Sequence, residues 1–191
     1  FSVIARNKYV LSPLETIFSE LNIPFVYKKS SNGLENESDY MKVFELGIRI
    51  LLNPKDIVHL RELCKITDRK SSEIVSDDNS IAILTQAIEN TVFTDLLPCF
   101  QSLNKEEMNF SKVLLQLKEQ LPASMSDEER YLIINDIEQW DKHWKKYSGQ
   151  VQRENRTLLS FRNYISLGKT QDTSSSKGVS LLTAHMSKGL Q

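Results

Sequence analysis

The sequence predicts a predominantly helical α/β fold, a partial parallel-sheet domain interrupted by an all-α insertion. Three observations lead there. The opening residues read as strand, helix and strand. The last well-patterned apolar segment, Val179–Thr183, reads as another strand. Between Ser80 and Leu167 the apolar residues recur almost entirely at three- and four-residue steps, the period of helices. The terminal strands make one sheet only if the two ends of the chain come together.

Taken in order, Phe1–Ala5 is a short apolar strand and Arg6-Asn7-Lys8 a turn. Ser12-Pro13-Leu14-Glu15 predicts a helix start, with Ser12 as cap, Pro13 in the first turn and Glu15 closing a capping box. That helix is expected to reach about Leu21, where Asn22-Ile23-Pro24 stops it, and Phe25-Val26-Tyr27 forms a second strand. Helix-length spacing between two strands is the signature of a right-handed parallel crossover. After a polar loop at 30–38, a helix capped by Ser38 runs from Asp39 to Leu52, with Gly47 either weakening it or permitting a close approach. Asn53-Pro54 restarts a helix to about Cys64, and 67–79 reads as loop. Further helices are predicted over 80–89, 91–101, 105–121, 126–148 and 154–168. In the fourth of these Ser126 opens a capping box with Glu129, and Ile133, Ile137, Trp140, Trp144 and Tyr147 form one apolar stripe. A Ser/Thr-rich linker, 169–178, leads into the last strand and a closing turn, 184–191.

Composition limits the function classes. The chain has 191 residues, 40% hydrophobic and 26% charged, which is globular. Lys and Arg number 24 against 25 Asp and Glu, excluding a strongly basic nucleic-acid tail or a polyacidic segment but not a local basic stripe. Cys64 and Cys99 are too few for a disulfide framework, so a reducing, cytoplasmic setting is the expectation, with both thiols as small buried hydrophobes. No apolar run approaches bilayer length, so no membrane partner is expected. No His, Cys, Asp or Glu cluster has metal-ligand spacing, so no metal site is predicted. Both ends read as cut from a longer chain.

The chemistry concentrates at the C-terminus. A continuous apolar strand delivers Thr183, His185 and the Lys188-Gly189 turn at its carboxyl end, the side on which open α/β sheets bind ligands. Thr and His donate to phosphate oxygens, and backbone amides around a glycine make an anion nest. This strand and its T-x-H-x-S-K-G-L string resemble motif V of the UvrD/PcrA/Rep group of superfamily 1 ATP-dependent DNA helicases. Val3-Ile4-Ala5-Arg6-Asn7, Leu14-Glu15 and Ile23-Pro24-Phe25 resemble that family's motif IV region. Ile48–Asn53 resembles the helix that follows it, and Phe161–Leu167 the helix before motif V.

The resemblance implies a partial RecA-like second motor domain at 1–66 and 169–191, with a helical insertion at 67–168. It implies that Arg6 reaches the γ-phosphate of ATP, as catalytic and cofactor-binding residue. Thr183, His185 and Lys188 would face the single-strand backbone, Lys188 and Gly189 shaping the turn between the DNA and ATP sites. Gln191 stands where the family carries a Glu for the nucleotide ribose; its carbonyl still accepts that hydrogen bond. ATP with Mg²⁺ is the implied cofactor of a full-length parent, with single-stranded and forked DNA and the missing first RecA-like domain as partners. The Thr-Pro-x-Arg-Gly-Ile-Gly duplex-contacting turn of the family has no counterpart. There is also no Gly-x-x-x-x-Gly-Lys-(Ser/Thr) loop, so the 191 residues alone are expected to bind no nucleotide and hydrolyse no ATP.

Other residues read as structural. Trp140 and Trp144 are expected in the core rather than stacked on bases, His59 and His143 as ordinary helix residues, and Lys142, Lys145, Lys146, Arg153 and Arg156 as a solvated face. Two alternatives remain: an AddA/RecB-like helicase-nuclease subunit, and a non-catalytic helical module whose apolar stripes bind a partner helix.

Overall fold

A computed structural model describes residues 1–6, 8–27, 34, 36–75, 78–104, 109–122, 125–166 and 178–184. The chain divides into two compact units. One combines Phe1–Glu35 with Ile165–Gln191, and the other is Asn36–Tyr164. The predominantly helical character and the small parallel sheet agree with the sequence.

The first unit holds β1 (Ser2–Ala5), α1 (Lys8–Glu20), β2 (Phe25–Tyr27) and β3 (Val179–Thr183). All three strands are parallel and their order is β1-β3-β2. The C-terminal strand therefore sits between the two N-terminal ones, and α1 packs on β1 and β3. Gly178 admits β3 to that place. Its φ is +146°, and a Cβ there would lie 2.2 Å from the Pro24 carbonyl oxygen. Only glycine combines that torsion with so close an approach. The approach lets Val179 N–H donate to Pro24 O at 2.8 Å.

The start of α1 differs from the sequence reading. The helix begins at Lys8, so Pro13 lies inside it and Ser12 is no cap. Pro13 forfeits only the bond to the Tyr9 carbonyl, and Tyr9 is exposed. The extra turn places Leu11, with no exposed surface, on the helix. The end of α1 is a Schellman arrangement. Asn22 takes φ +52°, its N–H reaches Ser19 O at 3.2 Å, and Ile23 N–H reaches Phe18 O at 2.8 Å.

The second unit is all α: α2 (Asp39–Leu52), α3 (Ile57–Ile66), α4 (Ser80–Ile88), α5 (Leu97–Leu103), α6 (Phe110–Glu119), α7 (Asp127–Gln150) and α8 (Leu158–Ser166), the last ending just past the division. The division falls at 35/36, whereas the sequence reading put the N-terminal boundary at 66. The reason is α2, which packs on α3, α4, α5 and α7 and buries eight of its fourteen residues. The upper boundary lies at 164/165 rather than 168.

Several ends shift for local reasons. α3 is capped by Asp56 rather than Asn53, because the Asp56 carboxylate accepts from His59 N. The predicted 91–101 helix is a turn, a 3₁₀ segment at Thr94–Leu96 and then α5, which carries Pro98 in its first turn. Asn109 starts α6 by accepting from Lys112 N, so that helix begins at Phe110; 105–108, which the sequence reading included, lie outside the described residues. The predicted 154–168 helix opens as a 3₁₀ turn at Arg153–Asn155 and becomes α only at Leu158. The 67–79 segment read as loop carries a 3₁₀ turn at Ser71–Glu73.

The core of this unit is aromatic. Phe110 is its hub, with ring centroids 5.1 Å from both Trp144 and Phe161 and 5.9 Å from Trp140. Trp140 and Trp144 are 3% and 8% exposed, so both belong to the core as expected. Gly47 serves close packing: a Cβ there would meet Phe100 Cζ at 2.1 Å. Both cysteines are buried free thiols.

Candidate functional site

The parallel register brings two of the predicted site residues to one edge of the sheet. Ala5 pairs with Thr183, so β1 and β3 end level at their carboxyl ends. Arg6 leaves β1 one residue later. It is exposed, and among the described residues it has no hydrogen bond or ion pair. Thr183 closes β3 at 8% exposure, following the fully buried Leu181 and Leu182. Residues two apart on a strand share a face; Thr183 therefore lies on the Leu181 face, whose partner on β1 is Val3. β2 ends two residues short of this edge, where Tyr27 pairs with Leu181. His185, Lys188, Gly189 and Gln191 lie outside the described residues.

This edge has the elements of an anion-facing site. A planar guanidinium, permanently charged and paired with no carboxylate among the described residues, stands beside the end of the central parallel strand. The central strand's carboxyl end is where crossovers leave room for a ligand in open parallel sheets. Metal chemistry has no site among the described residues, where no group of three His, Cys, Asp or Glu converges.

Sequence reasoning missed a buried carboxylate that ties two helices of the helical unit together. Asp136 of α7 is 1% exposed and reaches the start of α2. Its carboxylate accepts from Glu37 N at 3.1 Å, from Ser38 N at 2.9 Å and from Ser38 Oγ at 2.7 Å. Ser38 Oγ in turn accepts from Met41 N at 3.3 Å, so the predicted cap is itself held by an acid 98 residues away. An acidic residue on the apolar face of α7 was the only available signal.

A second polar chain runs from α7 through α2 to α3. Trp140 Nε1 donates to Asn36 Oδ1 at 2.7 Å, and Asn36 Nδ2 donates to Glu45 Oε2 at 2.8 Å. Arg49 Nη2 donates to Glu45 Oε1 at 2.7 Å, and Arg49 Nη1 stands 3.2 Å from His59 Nε2. Arginine can only donate, so His59 Nε2 is an acceptor and the ring proton sits on Nδ1, 2.6 Å from Asp56 Oδ2. His59 thus links α2 to α3 with both ring nitrogens engaged, and nothing in its setting frees one for catalysis. Burial of Asp56 opposes ionisation, but the His59 backbone N–H and ring, with Arg49 nearby, hold its carboxyl below the usual range. Burial pushes the Cys99 thiol up to about 12, which makes it a packing group and not a nucleophile.

The basic residues of α7 are partly neutralised, with Lys145 Nζ 2.6 Å from Asp141 Oδ2. Among the described residues no helix is long and apolar enough to cross a membrane. No protein-family model, curated protein or solved structure matches the chain.

Proposed function

We propose that this chain is part of a superfamily 1 ATP-dependent DNA helicase of the UvrD/PcrA/Rep type. It would carry a portion of the second RecA-like domain and the helical unit inserted in it. One observation carries the reading. Arg6, exposed and without a partner among the described residues, stands at the same sheet edge where the T-x-H-x-S-K-G-L string begins with Thr183. Neither signal requires the other, and the parallel register puts them on adjacent strands.

On this reading Arg6 places a fixed positive charge against the γ-phosphate of ATP bound between two motor domains. A guanidinium presented from the second domain stabilises the charge that develops on the transferred phosphoryl group. ATP and Mg²⁺ supply the phosphoryl chemistry and the metal that neutralises it. Thr183 and the turn after it would bear on the phosphates of a single DNA strand, so that closing the motor domains changes the grip on DNA. The phosphate-binding loop belongs to the other motor domain.

The test uses the longer parent chain. Arg6→Ala is expected to lower DNA-stimulated ATP turnover by about 10³-fold, the scale of an arginine that stabilises phosphoryl transfer in trans. Single-strand affinity should hold within about threefold, since the DNA contacts lie elsewhere on the edge. Normal turnover in that variant overturns the role of Arg6, and a parent with no phosphate-binding loop overturns the helicase reading itself.

A further inference from the structure

The helical unit contains a cleft of about 720 Å³, in the size range of ligand sites. Three segments form it: the start of α2, the Thr91–Asp95 turn before α5, and the approach to and first turns of α7. Its apolar walls include Tyr40, Phe93 and Ile133, and the Tyr40 and Phe93 rings lie 6.3 Å apart. Four carboxylates line it, Glu37, Asp39, Asp95 and Glu129, and no Lys, Arg or His is among the lining residues.

Two of these acids are already used locally. Asp39 is held by Lys42 Nζ at 2.8 Å, and Glu129 closes the capping box on Ser126. Asp95 is different: among the described residues it has no hydrogen bond or ion pair. Tyr40 is the second unmet group. Its side chain lines the cleft at 4% exposure, and its buried hydroxyl has no hydrogen-bond partner. An orphaned buried hydroxyl is a standing penalty that a ligand donor relieves. Burial, with Cys99 and Asp95 nearby, raises the phenol's pKa, so it stays neutral and keeps lone pairs for a donor. Val92, itself part of the lining, is 79% exposed, so the cleft presents an apolar side chain at its rim.

We propose that this cleft binds an arginine or lysine side chain presented by a partner polypeptide. The cationic head lies against the exposed Asp95 carboxylate, and its N–H groups meet the Tyr40 oxygen, which is buried here, once that ring turns toward the cleft. The aliphatic stem runs along Tyr40 and Phe93, where aromatic faces favour both the methylenes and the charge. An apolar neighbour in the peptide covers Val92. Charge complementarity selects the head, and the exposed Val92 at the rim selects a polypeptide over a free amine. The proposal is independent of the helicase reading, since every residue it uses lies in the helical unit.

The test is a titration of the ¹⁵N-labelled 191-residue chain with three probes. These are the peptide acetyl-Leu-Arg-Leu-amide, its citrulline analogue, and free butylguanidinium. The arginine peptide is expected to give saturable amide shifts at Thr91–Asp95. The citrulline analogue, equal in shape and uncharged, should bind about tenfold more weakly or worse, as a lost charge-assisted contact requires. Asp95→Asn should weaken the arginine peptide by about tenfold. Tyr40→Phe removes only the orphaned hydroxyl and serves where Asp95→Asn unfolds; it should weaken the peptide by about threefold or more. Absence of saturable shifts, equal binding of the citrulline peptide, or an unchanged affinity in the Tyr40→Phe chain overturns the proposal. Saturation by butylguanidinium with none by the peptide overturns the polypeptide partner.

Discussion

Replacing Gly47 by alanine sets two well-understood effects against each other. In an open helix the change is favourable by about 1 kcal/mol, because alanine loses less backbone entropy. Here the new methyl would stand 2.1 Å from Phe100 Cζ, 2.4 Å from Cε1 and 3.0 Å from Cε2. Carbon–carbon contacts settle near 3.5–4.0 Å, so the ring has to retreat by about 1.5 Å. It has nowhere to go. Phe100 has no exposed surface and stacks on Phe44 with centroids 5.9 Å apart at 18°. Phe44 is itself fixed edge-on against Trp140 at 5.7 Å and 75°.

Overpacking a filled core costs about 1–3 kcal/mol, and three ring atoms inside contact distance put this case at the upper end. Against the propensity gain, Gly47→Ala should lower stability by about 2 kcal/mol, roughly thirtyfold in the folding constant. Urea unfolding of the 191-residue chain, followed by far-UV circular dichroism, measures it. Phe100→Leu removes the offending ring atoms, so the double variant should lose less than the two single losses combined. A Gly47→Ala chain as stable as the parent, or strictly additive losses in the cycle, would refute the close-packing argument.

Two further outcomes follow from the buried polar contacts. Asp136→Ala strips three hydrogen bonds from the start of α2 and should cost about 3 kcal/mol in urea unfolding, the scale of unpaired buried donors; a loss below about 1 kcal/mol refutes the capping role. Asp56 gives a pH dependence whose sign is fixed. Its folded carboxyl titrates below its unfolded value, so its stabilisation is complete above the unfolded carboxylate range and disappears as pH falls through the folded pKa. Asp56→Asn should therefore narrow the stability gap between pH 7 and pH 3, in matched urea titrations, by a small but measurable amount; an unchanged gap refutes it.

Much of the helical unit was legible because local signals decide helices. Ser38 and the Ser126–Glu129 box cap the helices they were predicted to cap, and the Ile133–Tyr147 stripe faces the core. Where local signals misled, packing had overridden them. The Ser-Pro-x-Glu string at Ser12 is a good helix start, yet burial of Leu11 favours a start at Lys8 and tolerates Pro13 inside. What was illegible is non-local. Nothing near Asp136 in the chain says that its partner is a cap 98 residues away. Nothing near Asn36 says that Trp140 needs its oxygen.

The sheet edge combines both kinds of information. The residues that carry its proposed chemistry, Arg6 and Thr183, stand out in short strings at opposite ends of the chain. Their meaning as a site depends on β3 lying beside β1 with Ala5 opposite Thr183. Leu181 and Leu182 point to opposite faces and both are buried, so apolar burial holds β3 inside the sheet without choosing between neighbouring registers. Gly178 makes that choice, since no residue with a Cβ could pass Pro24 so closely. The placement of Thr183 beside Arg6 is therefore set by burial on both faces of β3 and by one glycine at the far end of the strand. The residues that carry the proposed chemistry contribute little to fixing where they stand.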